Sequence, residues 1–157
     1  MERSDNGYSK SLLNSDRATG LVGSTPTLSA MKKFACAINC MDGRVQDAVK
    51  NYMKENYRVD YVDMITEPGP NKILCESKDC DKWVIDDIKK RIDISVNHHG
   101  SKVIAVAGHF GCAGNPAEKE EQIEQLKKCK EKVEAFGFPA EVILLWVEGD
   151  WETVEKI

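Results

Sequence analysis

The sequence predicts an α/β fold, with a mainly parallel central sheet of about four strands flanked by helices on both faces. Three observations predict it. Short apolar runs at Phe34–Ile38, Lys102–Ala107 and Glu141–Val147 suit strands buried on both sides. Longer stretches between them repeat apolar residues at helical spacing. The two kinds alternate along the chain, and right-handed β-α-β crossovers turn that order into a parallel sheet.

Each element has its own justification. Phe34–Ile38 is the first strand, and Asn39–Gly43 is its exit loop. From Arg44 to Asn56, Val45, Ala48, Val49, Tyr52 and Met53 form an apolar stripe opposite Gln46, Asp47, Lys50 and Lys54, which predicts an amphipathic helix. Tyr57–Ile65 returns as a strand. Glu67-Pro-Gly-Pro-Asn71 then breaks the chain, read as permitting neither helix nor ladder. Val84, Ile85, Ile88, Ile92 and Val96 mark a long helix from about Asp79 to His98, with Gly100 as its stop. Lys102–Ala107 is the central strand. Asn115 reads as the N-cap and Pro116 as the first position of the next helix, which reaches about Ala135 with acids in its early turns. Glu141–Val147 is the fourth strand, and the tail from Asp150 is expected to be a short helix.

Composition narrows the function. The chain has 157 residues, 41% hydrophobic and 31% charged, enough for one soluble domain with a single core. A formal charge of −4 and a pI near 5.5 argue against nucleic acid or an anionic membrane as partner, since both select a basic face. No run approaches the length of a membrane span. Residues 1–30 are rich in Ser, Gly, Asn and Thr without apolar periodicity and read as a disordered leader or an added extension. Met31 before the first strand looks like a natural start, so the folded unit is expected over residues 31–157. With no apolar h-region in the leader, the six cysteines read as reduced thiols in the cytoplasm rather than a disulfide framework. Cys36 and Cys129 suit small buried hydrophobes, and Cys75 and Cys80 match no zinc template well.

The chemistry lies at strand exits. His109 and Cys112 sit on the turn after the central strand, where open α/β sheets place their sites. Two ligands are too few for a metal, and Cys40 at the exit of the first strand is the obvious third. If the two strands are neighbours, the three donors converge although they lie far apart in the chain. Two thiols and an imidazole suit Zn2+, and three protein ligands leave a fourth position for water or substrate. Cys40-Met-Asp42-Gly-Arg44 adds a carboxylate and a guanidinium, which alternation along an extended segment would point to one side. Asp42 is then placed to accept a hydrogen bond from zinc-bound water, with Arg44 holding it ionised.

Cys-x-Asp-x-Arg at one strand exit and His-x-x-Cys at a later one resemble the β-class carbonic anhydrases, over roughly Phe34 to Val147. The resemblance implies a β-carbonic-anhydrase-like fold, Cys40, His109 and Cys112 as zinc ligands, and Asp42 and Arg44 as the catalytic dyad. It implies a lyase, in which a zinc-bound hydroxide reversibly hydrates carbon dioxide to bicarbonate, and a homodimer or higher homo-oligomer. It also implies a closed form in which Asp42 becomes the fourth zinc ligand. Two departures are visible. Thr66–Asn71 replaces the family's Arg-Asn-Ala-Gly-like pocket loop, and residues 1–30 are poor formers of the family's N-terminal helices.

Other readings stay open at this point. Hydrolysis of carbonyl sulfide or carbon disulfide uses the same attack on a similar linear electrophile, and a non-catalytic zinc protein would need the ligands alone. A cysteine phosphatase or sulfurtransferase with Cys40 as nucleophile is disfavoured, because three residues between Cys40 and Arg44 are too few to cradle an oxyanion. His98 and His99 read as helix-end cations rather than proton relays. Trp83, Trp146 and Trp151 read as core or subunit-contact residues, and Gly108, Gly111 and Gly114 as positions letting the backbone pass close to the metal.

Overall fold

The structure is a computed structural model that describes residues 32–76 and 82–157. The proposed leader, Cys80 and the predicted start of the long helix at Asp79 lie outside the described residues. The elements run β1 (Phe34–Cys40), α1 (Gly43–Tyr57), β2 (Tyr61–Glu67), α2 (Pro70–Glu76), α3 (Lys82–Asp93), a π-helical turn (Ile94–His98), β3 (Val103–His109), α4 (Lys119–Glu134), β4 (Glu141–Val147) and β5 (Val154–Lys156). They form one sheet in the order β2-β1-β3-β4-β5. The first four strands are parallel and β5 is antiparallel to β4.

Helices cover both faces, and the strand residues explain which helix goes where. Ala35, Ala37, Ala105 and Ala107 give one face small side chains, against which Val45, Ala48, Val49 and Met53 of α1 pack. Cys36, Ile38, Ile65, Ile104, Val106, Val142 and Leu144 face the other way, toward Leu74 of α2, the predicted stripe Val84, Ile85, Ile88, Ile92 and Val96, and Leu126, Cys129 and Val133 of α4. Alternation sends the two residue sets to opposite faces because successive side chains of a strand point oppositely.

Four expectations are corrected. Glu67–Asn71 does not exclude a helix: Gly69 turns the chain at φ 64°, and Pro70 opens α2. Proline at the first helical position gives up only an N–H that has no intrahelical partner. The tail is not a helix but β5, paired to β4 through Leu145↔Lys156 and Val147↔Val154, so the sheet has five strands. Asp150 organises the turn before it, accepting from the N–H groups of Glu152 (3.1 Å) and Thr153 (2.9 Å) and from the Thr153 hydroxyl (2.6 Å). Asn115 does not cap α4, which starts at Lys119 after Glu118, because its side chain is buried in a tertiary amide network described below. Tyr57 ends α1 rather than starting β2, with Arg58 in the left-handed conformation as C-cap.

Candidate metal centre

Strand order is what makes a site. The chain leaves β1 toward β2 on one side and later returns to place β3 on the other, so the crossover direction reverses between β1 and β3. Crevices of open α/β sheets form at the carboxyl ends of strands at such a reversal. Ladder pairing between β1 and β3 covers only Cys36↔Ile104 to Ile38↔Val106, although β1 runs on to Cys40 and β3 to His109. The unpaired ends carry the candidate donors.

Cys40, His109 and Cys112 converge there, with their donor atoms within 4.8 Å of one another and all three residues buried. Their arrangement fits a tetrahedral metal on three counts. The two Sγ atoms are 3.7 Å apart, against about 3.8 Å for two sulfurs each about 2.3 Å from a tetrahedral zinc. His109 Nδ1 lies 2.9 Å from the Phe110 carbonyl, to which it donates, which leaves Nε2 as the lone-pair nitrogen. That Nε2 is buried without a hydrogen-bond partner in the protein, as suits a nitrogen whose lone pair is kept for a metal.

Electrostatics support the same reading. Burial pulls the His109 imidazole below its ordinary pKa, toward the neutral form that ligates metals. Burial, reinforced by the neighbouring Cys40, pushes the Cys112 thiol up to about 11, while the N–H groups of Gly114 and Asn115 favour its thiolate. A bound dication would supply the compensating charge that the buried thiolate lacks.

Asp42 and Arg44 lie beside this cluster, brought together by a helix start rather than by the extended alternation expected from sequence. Asp42 is the N-cap of α1, its Oδ1 accepting from the Arg44 backbone N–H at 3.0 Å. Oδ1 also accepts from Arg44 Nε (3.0 Å) and Oδ2 from Nη2 (2.6 Å), a two-pronged ion pair. Hydrogen bonding to Arg44 holds the Asp42 carboxyl down to about 2. Both oxygens are thus occupied by Arg44, and Asp42 is not part of the three-donor cluster.

The shell behind the donors was less legible in the sequence. Gln46, read only as a polar helix residue, donates to the Cys40 carbonyl at 2.6 Å, and Asn39 donates to the same oxygen at 2.9 Å. Gln122 of α4 is fully buried and donates to the carbonyls of His109 (3.1 Å) and Ala117 (2.9 Å). Asn71 donates to Gln122 (3.1 Å) and Gln125 (3.2 Å), and Asn115 to Gln125 (2.6 Å). This amide network ties α2, α4 and the metal-donor loop together, and an Asn or Gln alone in a sequence gives no hint of such partners.

Gly69, Gly111 and Gly114 stand where the backbone itself requires a glycine. A Cβ on Gly114 would lie 2.5 Å from the Pro68 carbonyl carbon, and one on Gly69 2.7 Å from that of Gly114. The two backbones touch, so the loop after β2 lies directly against the donor loop. Gly111 takes φ 61° in the turn between His109 and Cys112.

The tryptophans and histidines divide. Trp146 is a core residue as expected, 1% exposed. Trp151, expected in the core or at a subunit contact, is half-buried beside the site: the Arg44 Cζ lies 3.9 Å from the centroid of one of its rings, and the His109 ring centroid is 5.8 Å away. His99 binds Asp63 at 2.7 Å and stacks on Phe34, at the amino end of the sheet and away from the donors. No helix among the described residues is long and apolar enough to cross a membrane.

A family profile described as "Putative carbonic anhydrase" matches residues 30–157. Among solved structures, the fold is similar to that of β-carbonic anhydrase isoform I from the protozoan Trichomonas vaginalis, with a TM-score of 0.52, 19% identity, and 84% of this chain and 88% of that chain covered. It is similar also to a β-carbonic anhydrase, described as tetrameric, from the ascomycete Sordaria macrospora, with a TM-score of 0.48, 14% identity and 81% of each chain covered. A comparison with curated proteins finds no match. At 19% identity the likeness to the Trichomonas vaginalis structure speaks for the fold, whereas the profile spans the whole region that carries Cys40, Asp42, Arg44, His109 and Cys112. The chain therefore belongs to the carbonic anhydrase family that this profile describes.

Proposed function

We propose that the chain is a zinc-dependent lyase that interconverts carbon dioxide and bicarbonate. The observation that carries this reading is the convergence of Cys40, His109 and Cys112, with an unpartnered Nε2, beside an Asp42 whose oxygens are held by Arg44. Zinc held by these three donors would supply a Lewis acid that lowers the pKa of a coordinated water toward about 7. The protein's own groups do the rest. Asp42, kept ionised by Arg44, accepts a hydrogen bond from the attacking water and orients it. The Phe110 carbonyl fixes the His109 tautomer, and Gln46 and Gln122 fix the main chain on either side of the site.

The decisive experiment is stopped-flow hydration of carbon dioxide on protein of measured zinc content, with carbonyl sulfide as the comparison substrate. Turnover in proportion to zinc is expected, and Cys112→Ser should lose metal and turnover together. Hydration that persists in metal-free Cys112→Ser protein would overturn the reading. Stoichiometric zinc with no hydration would favour a scaffold role, and preference for carbonyl sulfide would move the substrate within the same chemistry.

A homo-oligomer is part of this proposal. On the α1 face, Tyr52, Val62, Met64 and Val154 are packed against the core yet only partly buried, since one helix serves that side of a five-stranded sheet. A second copy would cover them. We also assign the protein to the cytoplasm, where the Cys40 and Cys112 thiols would stay reduced. Sedimentation of the zinc-loaded chain tests the first assignment, and imaging of a tagged copy tests the second.

A further inference from the structure

We propose that Trp151 is a positioning residue, holding Arg44 on Asp42 and so keeping the Asp42 carboxylate from closing the metal site. The inference rests on Cys40, His109 and Cys112 being metal donors. Trp151 stands at φ 63°, a conformation rarely adopted by a bulky side chain. The surrounding turn holds it there. Asp150 gathers the N–H groups of Glu152 and Thr153, the Trp151 N–H donates to the Glu148 carbonyl at 3.1 Å, and Glu148 donates to Thr153 at 2.9 Å. The three-residue β5 anchors the far side of this turn to β4. The result is an indole lying on the Arg44 guanidinium at 3.9 Å and flanking the His109 ring at 5.8 Å.

Arg44 needs such a support. Its side chain is 54% exposed, and a long exposed side chain keeps one geometry only if something holds it. With both Asp42 oxygens accepting from Arg44, the carboxylate must break this pairing to bind a metal, while the lone pair left on Oδ2 still takes a hydrogen bond from water. If Arg44 swings into solvent, Asp42 is released next to a three-donor site that lacks a fourth ligand. The face of the indole attracts the cation and favours the paired arrangement. Trp151 thereby biases the site toward accepting an outside molecule at the fourth position.

The test uses the full chain loaded with Co2+ in place of zinc and titrated with thiocyanate, read by the visible absorption of the metal. An open fourth position takes the anion, whereas a carboxylate-closed one resists it. Trp151→Leu, which keeps an apolar side chain but removes the aromatic face, should weaken thiocyanate binding by up to roughly five-fold, the range of an exposed cation–π contact. Trp151→Phe should retain binding, and Trp151→Leu combined with Asp42→Asn should restore it. Equal thiocyanate affinity in wild type and Trp151→Leu, or equal weakening by Leu and Phe, would overturn the role of Trp151 while leaving the metal site standing. A wild-type chain that takes up no cobalt would overturn both together.

Discussion

Asp42 caps α1 through the Arg44 N–H and also receives the Arg44 guanidinium, so two substitutions at this position should behave differently. Asp42→Asn retains a good cap and should unfold in urea almost as the wild type does, yet hydrate carbon dioxide far more slowly. Asp42→Ala should lose turnover and in addition about 1 kcal/mol of stability. The buried thiols away from the site give a pH signature. Burial pushes Cys36 and Cys129 from an ordinary value of 9.0 up to about 12. Their folded pKa is raised, so the stability they contribute is complete below about pH 9 and is lost as pH rises toward 12. In that window the native chain binds more protons than the unfolded one, and each thiol makes stability fall by up to about 1.4 kcal/mol per pH unit. Urea titrations at pH 7 and pH 10 should show the decline, and Cys36→Ala should reduce it. The candidate donors stand out in the sequence because Cys40, His109 and Cys112 all fall at strand exits, and the structure brings the three together. Gln46, Gln122 and Trp151 do not stand out, since their residue types fit many surroundings and only the fold supplies their partners.

At the level of elements, apolar periodicity revealed α1, α3 and the buried strands, because burial on a defined face imposes a period on the sequence. Short elements escaped that logic. α2 is a seven-residue helix whose opening Pro70 reads as a breaker, and β5 has only three residues, too few for any period. Their positions came from contacts instead. Gln122 connects α4 to the carbonyls of His109 and Ala117; replacing it by Leu removes a buried donor from both and should cost on the order of 3 kcal/mol, with weaker zinc retention under chelation. Gly114→Ala would drive a methyl into the Pro68 carbonyl carbon at 2.5 Å. Backbone cannot give way as a side chain does, and a loss of about 2 kcal/mol in urea unfolding is expected.

Across the whole molecule, the sheet order brings β1 and β3 side by side and turns two half-sites into one. The alternation of strands and helices predicts a parallel sheet but not its strand order, so the meeting of β1 and β3 stood in the sequence only as a condition, and the count of strands and the fate of the tail depended on the Asp150 turn. A site assembled from two distant segments stabilises the fold when filled. Free zinc at one hundred times its dissociation constant should add about 2.7 kcal/mol, seen as a melting temperature that rises with zinc and falls with a chelator. Cys112→Ser should abolish that dependence.

The contact between Gly69 and Gly114 has a consequence for how this protein can vary. The segment after β2 presses main chain to main chain on the loop that carries His109 and Cys112. A pocket loop borrowed from another family member would be accepted only if it brought a glycine to position 69 and found one at 114. The two loops can therefore change only together, and a redesign of the first must be scored on the placement of His109 and Cys112 in the second.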